Sequence, residues 1–175
     1  LFSISPTSVM GCLVAGLISS SWWGLGPVCA QGIGLTVAQI SSFMTAGLIG
    51  GMVLQIPIGR LSDRRDRRLV LFGVTVSLGV PAVMLVFSEL LPAWALLVSA
   101  GAFFGLSSTL YPLSVAYAND SLDSGDVVAA SGGFVLIFGI GAVIGPLGAS
   151  AAMRLAGPQG MFMFAIAATV LLIAF

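Results

Sequence analysis

Apolar positions in this chain form long continuous stretches, and polar positions are gathered into short segments between them. A helix needs about 20 residues to cross the roughly 30 Å hydrocarbon layer of a bilayer. Backbone inside lipid must satisfy its own hydrogen bonds, which favours helices. The pattern therefore predicts six transmembrane helices, at residues 7–30, 36–59, 69–88, 92–117, 127–153 and 158–175, of which the last is short because the sequence stops.

Composition agrees with a protein whose solvent is lipid. The 175 residues are 58% hydrophobic and only 7% charged, against about 25% charged in soluble domains. Six basic and six acidic residues balance, so no basic field exists to hold nucleic acid. The chain has no histidine, and Cys12 and Cys29 lack the spacing of a zinc or haem site, so we expect no metal and no cofactor.

The two ends of the sequence suggest a piece of a longer protein. The chain begins at Leu1 without an initiator methionine or a basic leader, so the first apolar stretch does not resemble a signal peptide. It stops at Phe175 inside an apolar run. We expect residues 1–175 to form one six-helix bundle that is cut at both ends.

Orientation follows from the arginines. Five of the six lie at residues 60–68, between the second and third spans, which predicts that this connection is cytoplasmic. Both termini are then cytoplasmic, and so are residues 118–126, which hold Asp120, Asp123 and Asp126. Arg154 is the one contrary arginine.

The most informative segment is Gly59-Arg-Leu-Ser-Asp-Arg-Arg-Asp-Arg-Arg68. It resembles the cytoplasmic signature of the major facilitator superfamily, G-x-L-a-D-R-x-G-R-R, which lies between the second and third helices of each six-helix half. Asp66 departs from the pattern, which usually has glycine there. The resemblance implies an all-α membrane protein, a six-transmembrane-helix half of a twelve-helix major facilitator fold.

Further stretches resemble the C-terminal half of the bacterial YcaD-like branch of that superfamily. They are Met10-Gly-Cys12, Gly24-Leu-Gly-Pro27, Gln55-x-Pro-Ile-Gly-Arg-Leu-Ser-Asp63, Leu110-Tyr-Pro112 and Gly145-Pro146. The fourth span also lacks the arginine that first halves usually carry. The resemblance therefore implies helices seven to twelve of a transporter, in a bacterial cytoplasmic (inner) membrane.

The signature segment predicts a gating role. A carboxylate such as Asp63, at the end of a span, is favoured beside the positive N-terminus of a neighbouring helix. The resemblance implies that the contacted helix belongs to the missing half. Nearby arginines can pair with Asp63 and with anionic headgroups. The alternative, an ordinary basic stop-transfer loop, explains the arginines but not Gly59 and Asp63. The candidate gating residues are Gly59, Asp63, Arg64, Arg67 and Arg68.

Glycines predict where helices approach closely. GxxxG pairs occur at Gly47 and Gly51 and at Gly101 and Gly105, and small residues at this spacing let membrane helices pack. The fifth span is richest, and its Pro146 removes the hydrogen bond to the carbonyl of Ala142. We expect a hinge at an interface with the opposite half, although plain packing is the alternative. The residues of this predicted hinge are Gly141, Gly145, Pro146 and Gly148.

Cargo contacts are predicted mainly from the resemblance, which implies that the first and fourth spans line a central cavity. The candidates are Trp22, Trp23, Gln55, Ser107, Ser108 and Tyr111. This uncharged set suits neutral, amphipathic or aromatic-bearing molecules. The alternative for the tryptophans is an interfacial aromatic belt. Serines in membrane helices mostly bond to their own backbone, which is the alternative for Ser107 and Ser108.

The predicted function is transmembrane transport of a small molecule by alternating access. The expected partners are the lipid bilayer, the small-molecule substrate and the N-terminal six-helix half. No acid lies within a span, so a proton-coupled transporter with its carboxylate in the missing half and a facilitator both stay open. The alternatives are a non-transporting scaffold or receptor of the same fold and, less favoured, a membrane enzyme using the loop aspartates.

Overall fold

A computed structural model describes residues 5–120 and 127–174 of the protein. Within these ranges the chain forms six α-helices and one 3-10 turn at Ser88–Leu90. By length and composition, the first five helices are able to cross a membrane, whereas the sixth has 14 residues. The prediction of an all-α membrane fold is confirmed. The helices are α1 (Pro6–Gly32), α2 (Val37–Arg64), α3 (Arg67–Val86), α4 (Ala93–Asn119), α5 (Val127–Ala156) and α6 (Gly160–Ile173).

Helix ends differ from the predicted bounds chiefly at the arginine-rich connection. We expected nine residues, 60–68, between the second and third spans, but α2 continues to Arg64 and α3 begins at Arg67. Asp66 caps α3, since its Oδ1 accepts a hydrogen bond from the backbone N–H of Arg68 at 2.8 Å. Its φ is −56°, so the turn does not need the glycine that the family signature usually has.

Internal prolines do not interrupt the helices, in keeping with the tolerance of membrane spans for this residue. Each of the first five helices continues through one of them, at Pro27, Pro57, Pro81, Pro112 and Pro146.

Glycines on α5 face the neighbouring helix α1, which packs closely along it. A Cβ at Gly141 would collide with the carbonyl oxygen of Leu13, and one at Gly145 with that of Leu17. Gly16 of α1 is equally close to the backbone of Phe138. We call these three glycines the α1–α5 seam. Our expectation that the glycine face meets the opposite half is therefore wrong for Gly141 and Gly145, which contact this half's own first helix.

Gly148 on the same helix faces a different neighbour. A Cβ there would lie 2.5 Å from the Phe164 ring of α6. The glycine face of α5 is thus shared between α1 and α6 of the same bundle.

A second close contact joins α2 to α4. A Cβ at Gly50 would collide with the carbonyl oxygen of Gly101, and one at Gly105 would lie 2.6 Å from the carbonyl oxygen of Gly50. These three glycines form the α2–α4 seam. The prediction for the pair in α4 agrees with this contact, whereas in α2 the seam uses Gly50. The predicted pair in α2, Gly47 and Gly51, lies instead against aromatic rings of Trp22 and Phe104.

An aromatic cluster fills the space between α1, α2 and α4. Trp22 is fully buried, with its ring centroid 5.1 Å from that of Phe43, 5.8 Å from Phe103 and 5.4 Å from Phe104. Gly47 makes room for the indole, since a Cβ there would lie 2.5 Å from the ring. The cluster fixes the spacing of the three helices beneath the site described next.

Candidate functional site

A pocket of about 640 Å³ opens between α1, α2, α4 and α5. The two glycine seams bring these helices together in pairs, and the pocket occupies the space between the pairs. Its lining comprises Ser19, Ser20, Trp23, Gln55, Ser108, Tyr111, Pro112, Val135 and Phe138.

Four of the six predicted cavity residues meet in this pocket. They come from three helices: Trp23 from α1, Gln55 from α2, and Ser108 and Tyr111 from α4. Trp23 is half-exposed, so its indole presents an open surface to the pocket. Residues separated by up to 88 positions in sequence therefore share one wall, as a substrate site would require.

The other two predicted residues lie elsewhere. Trp22 is fully buried in the aromatic cluster, and its indole Nε1 has no hydrogen-bond partner among the described residues. Ser107 is also buried, and its hydroxyl donates to the carbonyl of Phe104 at 3.0 Å. The helical period explains both results, because adjacent residues on a helix point about 100° apart.

The pocket offers aromatic surface and neutral polar groups. The ring of Trp23 meets Phe104 edge to face at 5.3 Å, and Tyr111 meets Phe138 in the same way at 5.1 Å. Such pairs hold the rings in fixed orientations. The hydroxyl of Ser108 donates to the carbonyl of Gly105 at 2.9 Å, so its oxygen faces a ligand as an acceptor.

On α1, Ser20 behaves in the same way as Ser108. The hydroxyl of Ser20 donates to the carbonyl of Gly16 at 2.7 Å, as membrane serines commonly do. The amide of Gln55 is the group in the pocket able both to donate and to accept through separate atoms. None of the described lining residues carries a charge, so the site offers no counter-ion to an ionised ligand.

A second polar site lies at the arginine-rich end of the bundle, centred on Arg67. Its Nη1 donates to the carbonyl oxygen of Ala116 at 2.8 Å, and its Nε lies 3.3 Å from an oxygen of Asp120. Its Nη2 lies 3.7 Å from an oxygen of Asp63. Arg67 is mostly buried, with 27% of its side chain exposed. One guanidinium thus joins the end of α2, the start of α3 and the end of α4.

Asp63 itself is largely open, with 73% of its side chain exposed. It lines a groove of about 250 Å³ between α2 and α4, together with Gly59. The groove shares Gln55 and Pro112 with the central pocket, so the two spaces are adjacent.

Arg64 and Arg68 are exposed. Within residues 5–120 and 127–174 neither forms an ion pair, so Arg67 is the arginine that reaches Asp63. The predicted acidic segment at residues 118–126 is described only as far as Asp120. Asp123 and Asp126 lie outside the described residues.

Several site residues were not predicted from the sequence. Val135 and Phe138 line the pocket from α5, a helix that we had treated only as a mechanical element. Their spacing of three places them on one helical face, yet nothing in the local sequence distinguishes that face from a lipid-facing one. The contact of Arg67 with Asp120 was also missed, although an acid directly after the fourth span is a usable signal for such a pair.

Comparison with known proteins identifies the family that this arrangement represents. The sequence profile described as "Major Facilitator Superfamily" matches residues 8–175, which is nearly the whole chain. The chain belongs to this superfamily, and the class predicted from residues 59–68 is confirmed.

Individual relatives support the predicted branch. The chain is 32% identical over 139 residues to a protein of Salmonella arizonae named "Uncharacterized MFS-type transporter YcaD", which covers 79% of this chain and 35% of that relative. It is equally similar to the YcaD protein of Escherichia fergusonii, and 31% identical over 147 residues to that of Salmonella paratyphi B. The match thus spans about a third of the length of these relatives.

Proposed function

We propose that this chain is one six-helix half of a transporter that moves a small molecule across a membrane by alternating access. The observation that carries the proposal is the central pocket, which opens between four membrane-spanning helices and is lined by aromatic and neutral polar side chains. Membership of the superfamily and the names of the relatives support it. An N-terminal six-helix half is the expected partner, since a matching half would close the open side of the pocket.

The lining indicates the class of substrate. Trp23 and Tyr111 provide ring surface, and Gln55 and Ser108 provide neutral hydrogen-bonding groups. A charged substrate would lose its hydration here without gaining a counter-ion, which is costly. We infer a neutral, amphipathic substrate with an aromatic or similarly flat apolar part.

The gate is inferred at the arginine-rich end. Asp63 lines the groove next to the pocket, and most of its side chain is open to contact from outside this bundle. A helix N-terminus of the opposite half would be favoured beside it by roughly 0.3–1 kcal/mol. A contact that forms in one state of the transporter and breaks in the other would bias the populations of the two states.

Uptake into vesicles tests the proposal. The full-length protein is reconstituted in proteoliposomes, and entry of 4-nitrophenyl β-glucoside is compared with that of 4-nitrophenyl β-glucuronide, which differs by a carboxylate. Both solutes cross lipid slowly by themselves. We expect protein-dependent entry of the neutral aryl glycoside and little entry of the charged one.

Variants of the lining connect such uptake to the pocket. Trp23→Ala should reduce uptake of the aryl glucoside, whereas Ser107→Ala, a buried position on α4 outside the pocket, should leave it unchanged. Equal uptake of the neutral and charged solutes would contradict the substrate class. Absence of protein-dependent flux for every neutral aryl solute tested would favour a scaffold or receptor of the same fold.

A further inference from the structure

A second pocket lies at the end of the bundle opposite the arginines. It has a volume of about 310 Å³ and is enclosed by the start of α2, the 3-10 turn and the start of α4. It shares no described lining residue with the central pocket. We call it the distal pocket.

Ser88 is the first sign that this pocket is built to receive a ligand. The residue lines the pocket and is 95% buried, with 5% of its surface exposed. Its hydroxyl has no hydrogen-bond partner among the described residues. Buried polar groups in proteins are nearly always paired, because an unpaired one loses its hydration without compensation. A ligand that hydrogen-bonds to this hydroxyl would remove that cost.

Glu89 gives the distal pocket its charge. It follows Ser88 directly, and its Oε1 accepts a hydrogen bond from Nε2 of Gln159 at 2.8 Å. This bond from the connection between α5 and α6 holds the carboxylate in place. Within the described residues no arginine forms an ion pair with Glu89, so the pocket carries a fixed negative charge.

The other polar side chains of the pocket are Ser42 and Gln39, and the Oε1 of Gln39 already accepts from the backbone N–H and the hydroxyl of Thr36. The hydroxyl of Ser42 donates to the carbonyl of Ala38 at 3.0 Å, which leaves its oxygen lone pairs for a ligand. The walls are otherwise apolar, with Leu96 and Leu97 among them. One negative charge, the hydroxyl oxygens of Ser42 and Ser88 and apolar walls match a donor-rich cation on an apolar body, and Gln39 adds one amide group that can donate.

We propose that the distal pocket binds a primary ammonium group attached to an apolar body. The ammonium donates to the carboxylate of Glu89 and to the oxygen of Ser88, and the apolar part lies against Leu96 and Leu97. The same chemistry is present in a dissolved arylalkylamine and in the headgroup of an aminophospholipid. Anions and neutral alcohols of the same shape lack either the charge or the number of donors.

Protection of an introduced cysteine tests the proposal on the full-length protein in detergent. Leu97→Cys places a half-buried thiol on the pocket wall, while the native Cys12 and Cys29 are fully buried and react slowly. The rate of maleimide labelling is measured against increasing 2-phenylethylammonium. We expect saturable protection by the amine and none by 2-phenylethanol at equal concentration.

Variants in the same background identify the binding groups. Glu89→Gln should weaken the amine about tenfold, and Ser88→Ala about fivefold, as expected for charged and neutral hydrogen bonds. Ser41→Ala is the matched control, since this exposed serine on α2 bonds to the carbonyl of Val37 and does not line the pocket. Glu89 is exposed, so its amide variant should fold.

Measurements in nanodiscs distinguish a lipid headgroup from a dissolved amine as the source of the ammonium group. Protection in phosphatidylethanolamine discs without added amine, absent in phosphatidylcholine discs, would support the lipid headgroup as ligand. Protection only on adding 2-phenylethylammonium would support a dissolved amine. Equal protection by 2-phenylethanol, unchanged affinity in Glu89→Gln, or no protection in either setting would overturn the proposal.

Discussion

The guanidinium of Arg67 and the carboxylate of Asp120 approach to 3.3 Å and connect the first turn of α3 to the residue that follows α4. The same guanidinium donates to the carbonyl of Ala116, one of the last carbonyls of α4. A cation at a helix C-terminus is favoured by the helix dipole, and here it adds a second hydrogen bond to a carbonyl that already accepts from the backbone N–H of Asp120. Arg67 therefore stabilises the end of α4, and its longer contact to Asp63 is the weaker one.

A double-mutant cycle with Arg67→Ala and Asp120→Asn should give a coupling of about 0.2–1 kcal/mol, since Asp120 is half-exposed and screened by water. Unfolding is followed by the reaction of the buried Cys12 and Cys29 with a thiol-reactive dye. Arg60→Ala is the control because this arginine is exposed and forms no ion pair within the described residues. A coupling no larger than that between Arg60 and Asp120 would contradict the assignment.

Asp63→Asn should leave the unfolding midpoint unchanged and reduce transport about two- to fivefold, which corresponds to the loss of one helix-terminus contact. The open carboxylate and its 3.7 Å distance from Arg67 explain the small effect on stability. Flux and midpoint are measured at equal surface expression.

Asp66→Asn is the matched control for this change. It removes the same charge three residues away, and asparagine caps a helix as well as aspartate does. Transport by Asp66→Asn should therefore stay near the wild-type value. Full transport by Asp63→Asn would exclude a gating role for that carboxylate.

Gly145→Ala should destabilise the bundle by about 1–3 kcal/mol, because the added methyl meets the backbone of α1 at Leu17. Gly139→Ala on the same helix is the control. A Cβ there meets no described heavy atom within 4 Å, so this change should be neutral or stabilise the helix by about 0.5–1 kcal/mol. The two thermal midpoints are compared in detergent, and equal midpoints would show that the seam tolerates side chains.

Trp22→Ala should lower the free energy of unfolding by about 3–5 kcal/mol, which is the usual loss when a large buried aromatic side chain is removed. Trp22→Phe should stay within about 1.5 kcal/mol of the wild type, because it keeps a ring in the aromatic cluster and removes an indole N–H that has no described partner. Trp23→Ala, at the adjacent half-exposed position, should cost less than half as much as Trp22→Ala. Thermal unfolding of the three variants measures these differences. A similar loss of stability in Trp22→Ala and Trp23→Ala would contradict the burial of Trp22.

Orientation is tested at Arg65, which is exposed in the two-residue connection between α2 and α3. An introduced Arg65→Cys should react with a membrane-impermeant maleimide in inverted vesicles and resist it in right-side-out vesicles. The buried native cysteines give little background. Labelling only in right-side-out vesicles would reverse the proposed topology and place both termini outside.

The helices could be predicted because hydrophobic length and backbone satisfaction in lipid leave few options. Their ends were less predictable where polar residues continue a helix. The charges at residues 60–64 predicted a loop, but in the structure these residues extend α2. Polar side chains at the membrane surface do not interrupt the backbone hydrogen bonds of a helix. Asp66 carried a readable N-cap signal, and the structure uses it.

The sequence predicts which helices line the pocket, but it does not predict which face of each helix does so. Trp22 and Trp23 look equivalent in the sequence, yet one is buried and the other lines the pocket. The choice depends on how α1 is rotated against its neighbours, among them α5, which it approaches closely at Gly16. The partner of each glycine is likewise a property of tertiary packing. GxxxG spacing predicted close approach correctly for Gly101 and Gly105, but in α2 the neighbouring Gly50 makes the contact.

The two glycine seams distinguish positions where a substitution disturbs helix packing from positions where a substitution changes only the pocket lining. Backbone touches backbone at Gly50, Gly101 and Gly145, so substitutions there alter the frame. Trp23 and Tyr111 instead contribute side chains to the pocket, where each meets one neighbouring ring, Phe104 and Phe138 respectively. Selection for a new cargo is therefore able to act on the lining while the scaffold stays constant, and a library randomised at the lining should keep its folded fraction while its substrate range drifts.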